Sequence, residues 1–142
     1  MRDNPYIDSR GNKLWYQNGL LHRLDGPAIE YANGDKHWYQ KGKLCRLDGP
    51  TIEYGDGTKV WYNKDHLLHR LDGPAIEHPN GAKEWYQNGK LHRLNGPAIE
   101  WPNGYKEWYL SSVWFKCKEE FFDALNVHEK SIAIFSSDFI NS

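Results

Sequence analysis

Gly26-Pro27-Ala28-Ile29-Glu30-Tyr31-Ala32-Asn33-Gly34-Asp35-Lys36-His37-Trp38-Tyr39-Gln40-Lys41-Gly42-Lys43-Leu44 decides the fold. A run with a β-branched and an aromatic residue, Ala28 to Tyr31, meets a turn at Asn33-Gly34. A second run ends in Trp38-Tyr39, and a second glycine turn follows at Gly42. Runs of this kind bounded by Gly, Pro, Asn and Asp read as the strands of a hairpin. The stretch recurs. Trp-Tyr stands at 15–16, 38–39, 61–62, 85–86 and 108–109, in steps of 23, 23, 24 and 23. Arg-Leu-Asp/Asn-Gly-Pro stands at 23–27, 46–50, 70–74 and 93–97, and Ala/Thr-Ile-Glu at 28–30, 51–53, 75–77 and 98–100. A fixed period of this size marks a repeat architecture. The expected fold is mainly β: an elongated single-layer antiparallel sheet of four and a half tandem hairpins over 11–116, with a C-terminal helical cap over 117–142. The whole, 1–142, is expected to be a single repeat domain.

Charge selects the register. A two-residue loop would set Glu77 against Glu84 and Glu100 against Glu107, and like charges directly opposite are destabilising. A three-residue loop, a type I turn closed by a glycine bulge, sets Glu30 against Lys36, Glu53 against Lys59, Glu77 against Lys83 and Glu100 against Lys106. The three-residue loop is therefore expected. It places Trp38 opposite Ala28, Trp61 opposite Thr51, Trp85 opposite Ala75 and Trp108 opposite Ala98, with all these Trp rings on one face. On the other face Ile29 meets His37, at a position that becomes Val60, Glu84 and Glu107 and reads as solvated. The step of 24 comes from one extra residue after Tyr62, where Asp65-His66 replaces a glycine turn. An insertion tolerated there marks a surface loop.

The ends depart from the pattern. Tyr6 and Ile7 read as N-terminal edge pieces. At the other end Ser112 stands where an earlier copy has Gly19, and Phe115 where it has His22, so that strand faces something apolar. Cys117, Phe121 and Leu125 fall at helical spacing, with Phe122 beside them. Ile132, Phe135 and Phe139 also fit one helical face, although Ile132 and Ile134 fit strand alternation as well. The cap reads as a hydrophobic plug over the last hairpin, with a docking helix for a partner as the alternative.

The 142 residues carry 18 basic and 19 acidic side chains, for a formal net charge of −1. That balance gives no global reason for nucleic acid or an anionic membrane as partner. Two cysteines, Cys45 and Cys117, form no disulfide framework, which favours a reducing compartment. Residues 1–10 lack the apolar stretch of a signal peptide, and no segment is long enough for a membrane helix. A soluble cytoplasmic protein without membrane association is expected.

Several side-chain rows invite chemistry. His22, His69 and His92, with Cys45 at the second position, have the composition of metal ligands. Repeat equivalents, however, lie about 9–10 Å apart, too far for one ion whose ligands all sit about 2 Å away. Arg23, Arg46, Arg70 and Arg93 are each followed two residues later by Asp25, Asp48, Asp72 or Asn95. The expected role is fastening the inter-repeat turn. Beside the Trp row, the same arginines could instead hold nucleotides or single-stranded nucleic acid. Asn95 breaks the acidic series, which marks Arg93 as the arginine left for a partner. No asymmetric Ser/His/Asp, Cys/His or phosphate-loop cluster is present. The expectation is a protein that is not an enzyme and uses no cofactor or metal. Trp, Tyr and Arg dominate interfaces, so a protein partner is expected at Trp38, Trp61, Trp85, Trp108 and Arg93, and at the irregular positions Asn95, Asp65, His66 and Trp114. Nucleotide or single-stranded nucleic-acid binding and self-association as a homodimer stay open.

The unit at 26–44 resembles the MORN repeat (membrane occupation and recognition nexus). That pattern has a glycine-led strand ending in Tyr, an Asn-Gly or Asp-Gly turn, an aromatic strand and a second glycine loop, on a period near 23. The likeness covers about 11–116 and is similar to the divergent variant of bacterial and bacteriophage proteins. The adjacent Trp-Tyr pair and Arg-Leu-Asp-Gly-Pro are departures from the family's spacing. The resemblance implies a curved antiparallel sheet that binds partners or dimerises. Similarity to phage-borne copies implies a bacteriophage inhibitor of a host defence complex, acting in the host cytoplasm.

Overall fold

The structure, a computed structural model, describes residues 4–142, and Met1, Arg2 and Asp3 of the polar lead lie outside the described residues. The chain forms two compact units, Met1–Leu67 and Leu68–Ser142. In the first, the strands are β1 (Tyr6–Ile7), β2 (Lys13–Leu14), β3 (Tyr16–Gln17), β4 (Leu20–Leu21), β5 (Ile29–Glu30), β6 (Lys36–His37), β7 (Tyr39–Gln40), β8 (Lys43–Leu44), β9 (Ile52–Glu53) and β10 (Lys59–Val60). In the second they are β11 (Ile76–Glu77), β12 (Lys83–Glu84), β13 (Tyr86–Gln87), β14 (Lys90–Leu91), β15 (Ile99–Glu100), β16 (Lys106–Leu110) and β17 (Val113–Phe115). Helices α1 (Lys118–Ala124), α2 (Val127–Ile134) and α3 (Ser137–Ile140) follow.

Antiparallel pairing runs β1-β2-β5-β6-β9-β10 in the first unit and β11-β12-β15-β16-β17 in the second. The mainly β fold of tandem hairpins with a C-terminal helical part is the one expected. Tyr6 and Ile7 form the edge strand that pairs with Leu14 and Lys13. The register is also the expected one: Glu30 lies opposite Lys36, Glu53 opposite Lys59, Glu77 opposite Lys83 and Glu100 opposite Lys106. The Gly34 N–H donates to the Tyr31 carbonyl and the Tyr31 N–H to Asp35, which closes a three-residue loop. Gly34 takes the bulge position at φ 95°, a conformation that costs glycine little.

The ion pairs differ from the expectation. Lysines flank the glutamates, yet the only lysine bond to one of them among the described residues is Lys13 to Glu30 at 3.8 Å. Each carboxylate instead accepts from the arginine seven residues earlier. Arginine's planar fork reaches a carboxylate and a carbonyl together, which an ammonium on a mobile stem does less well.

Short side hairpins accompany the main sheet. The chain leaves the main sheet at Trp15, Trp38 and Trp85, whereas β16 runs on through Trp108 and Tyr109. The Trp15, Trp38 and Trp85 N–H groups donate to Ala28, Thr51 and Ala98, residues of the following repeat rather than their own. The Tyr-Gln segment beyond then pairs in a small hairpin of its own: β3 with β4, β7 with β8, β13 with β14. These side hairpins are bonded to one another in turn. Gly42 N–H donates to Leu21, Gly89 to Leu68 and Ser112 to Leu91. Each unit thus has a second row of hairpins beside its main sheet, and Ala28, Thr51, Ala75 and Ala98 are all but fully buried. Small residues there let two backbones approach closely.

The position of His37 is not solvated, a second correction. His37 packs edge-on against Tyr31 at 4.9 Å, and Val60 is buried. Glu84 pairs with His78 at 2.8 Å and accepts from the Tyr86 hydroxyl at 3.0 Å, while Glu107 accepts from Trp101 Nε1 and the Tyr109 hydroxyl. The variation follows the neighbouring ring: apolar or imidazole beside Tyr, carboxylate beside a donor.

The cap is helical to its end. Asn126 and Glu129 form a reciprocal capping box at the start of α2, satisfying two otherwise orphaned N–H groups. Phe121, Leu125, Ala133 and Phe139 close over Trp108, with Leu94, Leu110, Phe115 and Phe122 packed around them. The face expected at Ile132, Phe135 and Phe139 is only partly right. The chain breaks between α2 and α3, so Ala133 and Phe139 are buried while Ile132 and Phe135 stay exposed.

Candidate functional site: the Arg-Leu-Asp-Gly-Pro turn

The arginine of this turn folds back over its own loop. Arg46 Nε donates to Asp48 Oδ1 at 3.1 Å, and its Nη1 to the Pro50 carbonyl at 3.2 Å and to Glu53 at 2.8 Å. Its guanidinium lies 4.0 Å from the centre of the Trp38 ring. Arg23 repeats the arrangement with Asp25, Pro27, Glu30 and Trp15. Arg70 makes the same three kinds of bond to Asp72, Pro74 and Glu77. The glycine is required by this fold-back. A Cβ on Gly26, Gly49, Gly73 or Gly96 would stand 2.9, 2.7, 3.0 or 2.7 Å from the guanidinium carbon of its own arginine. The motif is therefore one device: Arg supplies the fork, Asp and Pro its acceptors, and Gly the space. Asp25 and Asp72 are held below the usual carboxylate range by the hydrogen bond and charge of their arginines.

Fixing the turn in this way lifts the leucine into solvent. Leu24, Leu47 and Leu71 are 68%, 96% and 79% exposed. In the first unit Leu24 and Leu47 line a cleft of about 620 Å³ together with Arg23, Trp38 and Arg46. In the second, Leu71 lines a cleft of about 450 Å³ bordered by Ile132 and Asp138 of the cap.

The last turn shows what can sit there. Arg93 Nε donates to Asn95, Nη1 to Pro97 and Glu100, and its guanidinium stacks on Trp85 at 3.8 Å. Its Nη2 is taken as well, by Asp138 of α3 at 2.8 Å. Arg93 is 5% exposed. The expectation that Asn95 leaves Arg93 for a partner is therefore overturned: the missing carboxylate is supplied from the cap, and Asn95 still accepts from the fork. Trp108 likewise offers no surface, since Phe121 and Phe139 cover its ring at 5.0 and 6.0 Å.

Of the other expected partner-binding residues, Trp38 and Trp85 are half-buried beneath arginines, and Trp61 is half-buried too. Asp65 and His66 form an exposed turn, where His66 takes the bulge conformation at φ 58° and its N–H donates to Asn63. Trp114 is exposed on β17, opposite Tyr109. The structure does not gather these residues into one place.

The histidines fasten the second row of hairpins. Nδ1 of His22, His69 and His92 accepts the backbone N–H of Lys41, Asn88 and Ser111, each at 3.0 Å. An acceptor at Nδ1 places the neutral ring's proton on Nε2. Burial lowers the pKa of His92, against the charge of Glu129, which favours that neutral form. Among the described residues no group of three His, Cys, Asp or Glu side chains converges to hold a metal. None of the helices of the described residues is long and apolar enough to cross a membrane.

The exposed leucines and Asp138 are the functional candidates that sequence reasoning missed. The leucine's signal was available, an apolar residue invariant among the four copies inside a polar turn. Comparison with known proteins gives no matching family model and no matching curated relative.

Proposed function

We propose that this chain is a non-catalytic protein-binding module of MORN-like repeats, and that it binds through the exposed leucines of its Arg-Leu-Asp-Gly-Pro turns. The supporting observation is Leu47, 96% exposed at the tip of a turn held by three hydrogen bonds of Arg46 and its stacking on Trp38. An apolar side chain on a pre-ordered loop loses little entropy when a partner covers it. The geometry disfavours nucleic acid, because the rings that would stack bases carry the chain's own arginines and those arginines are already paired. By analogy with phage-borne repeats, a host defence complex is the class of target in view. The test compares stable interactors of the wild type with those of a Leu24→Ser/Leu47→Ser variant by quantitative affinity purification. Loss of a partner in the variant, at unchanged thermal stability, is expected. An interactor set that does not change would overturn the leucine surface.

A further inference from the structure

The one occupied turn gives the chemistry of an occupant. At Arg93 two carboxylates and an amide share the fork: Glu100 accepts from Nη1 at 2.9 Å, Asn95 from Nε at 3.1 Å and Asp138 from Nη2 at 2.8 Å. The aromatic next to Asp138, Phe139, packs in the cluster that Leu94 joins. At Arg23 and Arg46 the fork is built identically as far as Nη1, but Nη2 meets no acceptor among the described residues, and Leu24 and Leu47 are uncovered.

The difference lies in the residue on Nε. It is Asn95 where the occupant is an aspartate, but Asp25 and Asp48 at the open positions, with side chains 86% and 88% exposed. Each of these guanidiniums already holds two carboxylates, Asp25 and Glu30 or Asp48 and Glu53, so a third brought to Nη2 would face the aspartate on Nε, and like charges so placed oppose binding. The complementary group is an amide. Its oxygen accepts from Nη2 and its NH₂ donates to the neighbouring aspartate, a pairing neither a carboxylate nor an ammonium can make.

We propose that the cleft of the first unit around Leu24 and Leu47 docks a partner helix that presents an Asn or Gln to the arginine fork and an adjacent aromatic or aliphatic residue to the leucine. The cap's α3 is the intramolecular counterpart with the amide and the carboxylate exchanged. This rests on the leucine surface of the proposed function and specifies its ligand.

The probe is a fluorescein-labelled peptide of residues 118–142 of this chain, made with Asp138 and with Asp138→Asn, and titrated with the full-length protein by anisotropy. The Asp138→Asn peptide is expected to bind about tenfold more tightly than the native one, the scale of one like-charge contact replaced by a hydrogen bond. In an Asp25→Asn/Asp48→Asn protein the preference should vanish or reverse, and in Leu24→Ser/Leu47→Ser both peptides should be lost. Equal affinity for the two peptides overturns the proposal. So does binding that survives the leucine substitutions, since the peptide would then be sitting at the cap's own position. If neither peptide binds but the leucine variant still loses its cellular partner, the amide-bearing helix is refuted and the binding-module reading stands. If the leucine variant loses nothing, both fall.

Discussion

Arg93→Met tests the fork where it is most completely engaged. Methionine keeps an apolar stem over Trp85 but removes the charge and every donor. The Pro97 carbonyl, on a residue with no significant exposure, loses its partner, at a cost of about 1–3 kcal/mol for an unsatisfied buried acceptor. Glu100 and Asp138 lose their counter-charge, but both are partly exposed, so water recovers some of that loss. Breaking a fully buried pair costs about 3–5 kcal/mol, and partial exposure places this one near 3. Arg23→Met is the internal control. Its guanidinium is more exposed and its aspartate is solvated, so about 1–2 kcal/mol is expected by the same reasoning. At about 2–4 °C per kcal/mol, Arg93→Met should lower the thermal midpoint by roughly 6–12 °C and Arg23→Met by about half as much. Urea unfolding followed by Trp fluorescence and far-ultraviolet circular dichroism measures both. Equal losses at the two positions would refute the idea that Asp138 and burial distinguish the last turn.

Phe139→Ala should destabilise by about 3 kcal/mol or more, as for other buried phenylalanines, and shift the emission of Trp108 to the red as its cover is removed; a chain with unchanged emission would speak against the plug. Gly49→Ala brings a Cβ to 2.7 Å from the Arg46 guanidinium and should cost about 1–3 kcal/mol by overpacking, whereas Gly81→Ala, with open space around its Cβ, should be penalised only through its positive φ. Burial, followed by the charge and hydrogen bond of Glu84, pushes the Tyr86 phenol up to about 12. Unfolded tyrosine ionises near pH 10, so between about pH 10 and 12 the unfolded chain gives up this proton while the folded one keeps it, and the stability this residue contributes is lost as pH rises. Glu84→Gln should bring the ionisation down, as read from phenolate absorbance.

The hairpins, their loop length and their register were legible because they depend on local signals: glycine at the bulge, β-branched and aromatic runs, and charge signs that exclude one alignment. The conclusion about register was right although the ion pair invoked for it was only partly so, since lysine and arginine both satisfy the same alternation of sign. What escaped was everything set by the third dimension. Nothing in Trp-Tyr as a dipeptide says that the chain bends between these residues, because the bend is fixed by a backbone bond from Trp to the next repeat. Arg93 was misread for a similar reason. Asn95 removes an acid locally, and the acid that replaces it, Asp138, lies 45 residues beyond Arg93. Leu47 does not stand out in the sequence because it lies within a mostly polar motif, and its exposure is set by how the arginine folds back over the turn.

The exchange of Asp for Asn at position 95 also bears on how such a chain can change length. The turns at Arg23 and Arg46 carry the same residues and the same bonds, so duplicating 24–46 within the first unit would add one more hairpin whose turn carries an aspartate. The cap would still be directed to the copy bearing the amide. The array can grow in the middle while its terminus keeps a unique address, written in a single side chain and read by another.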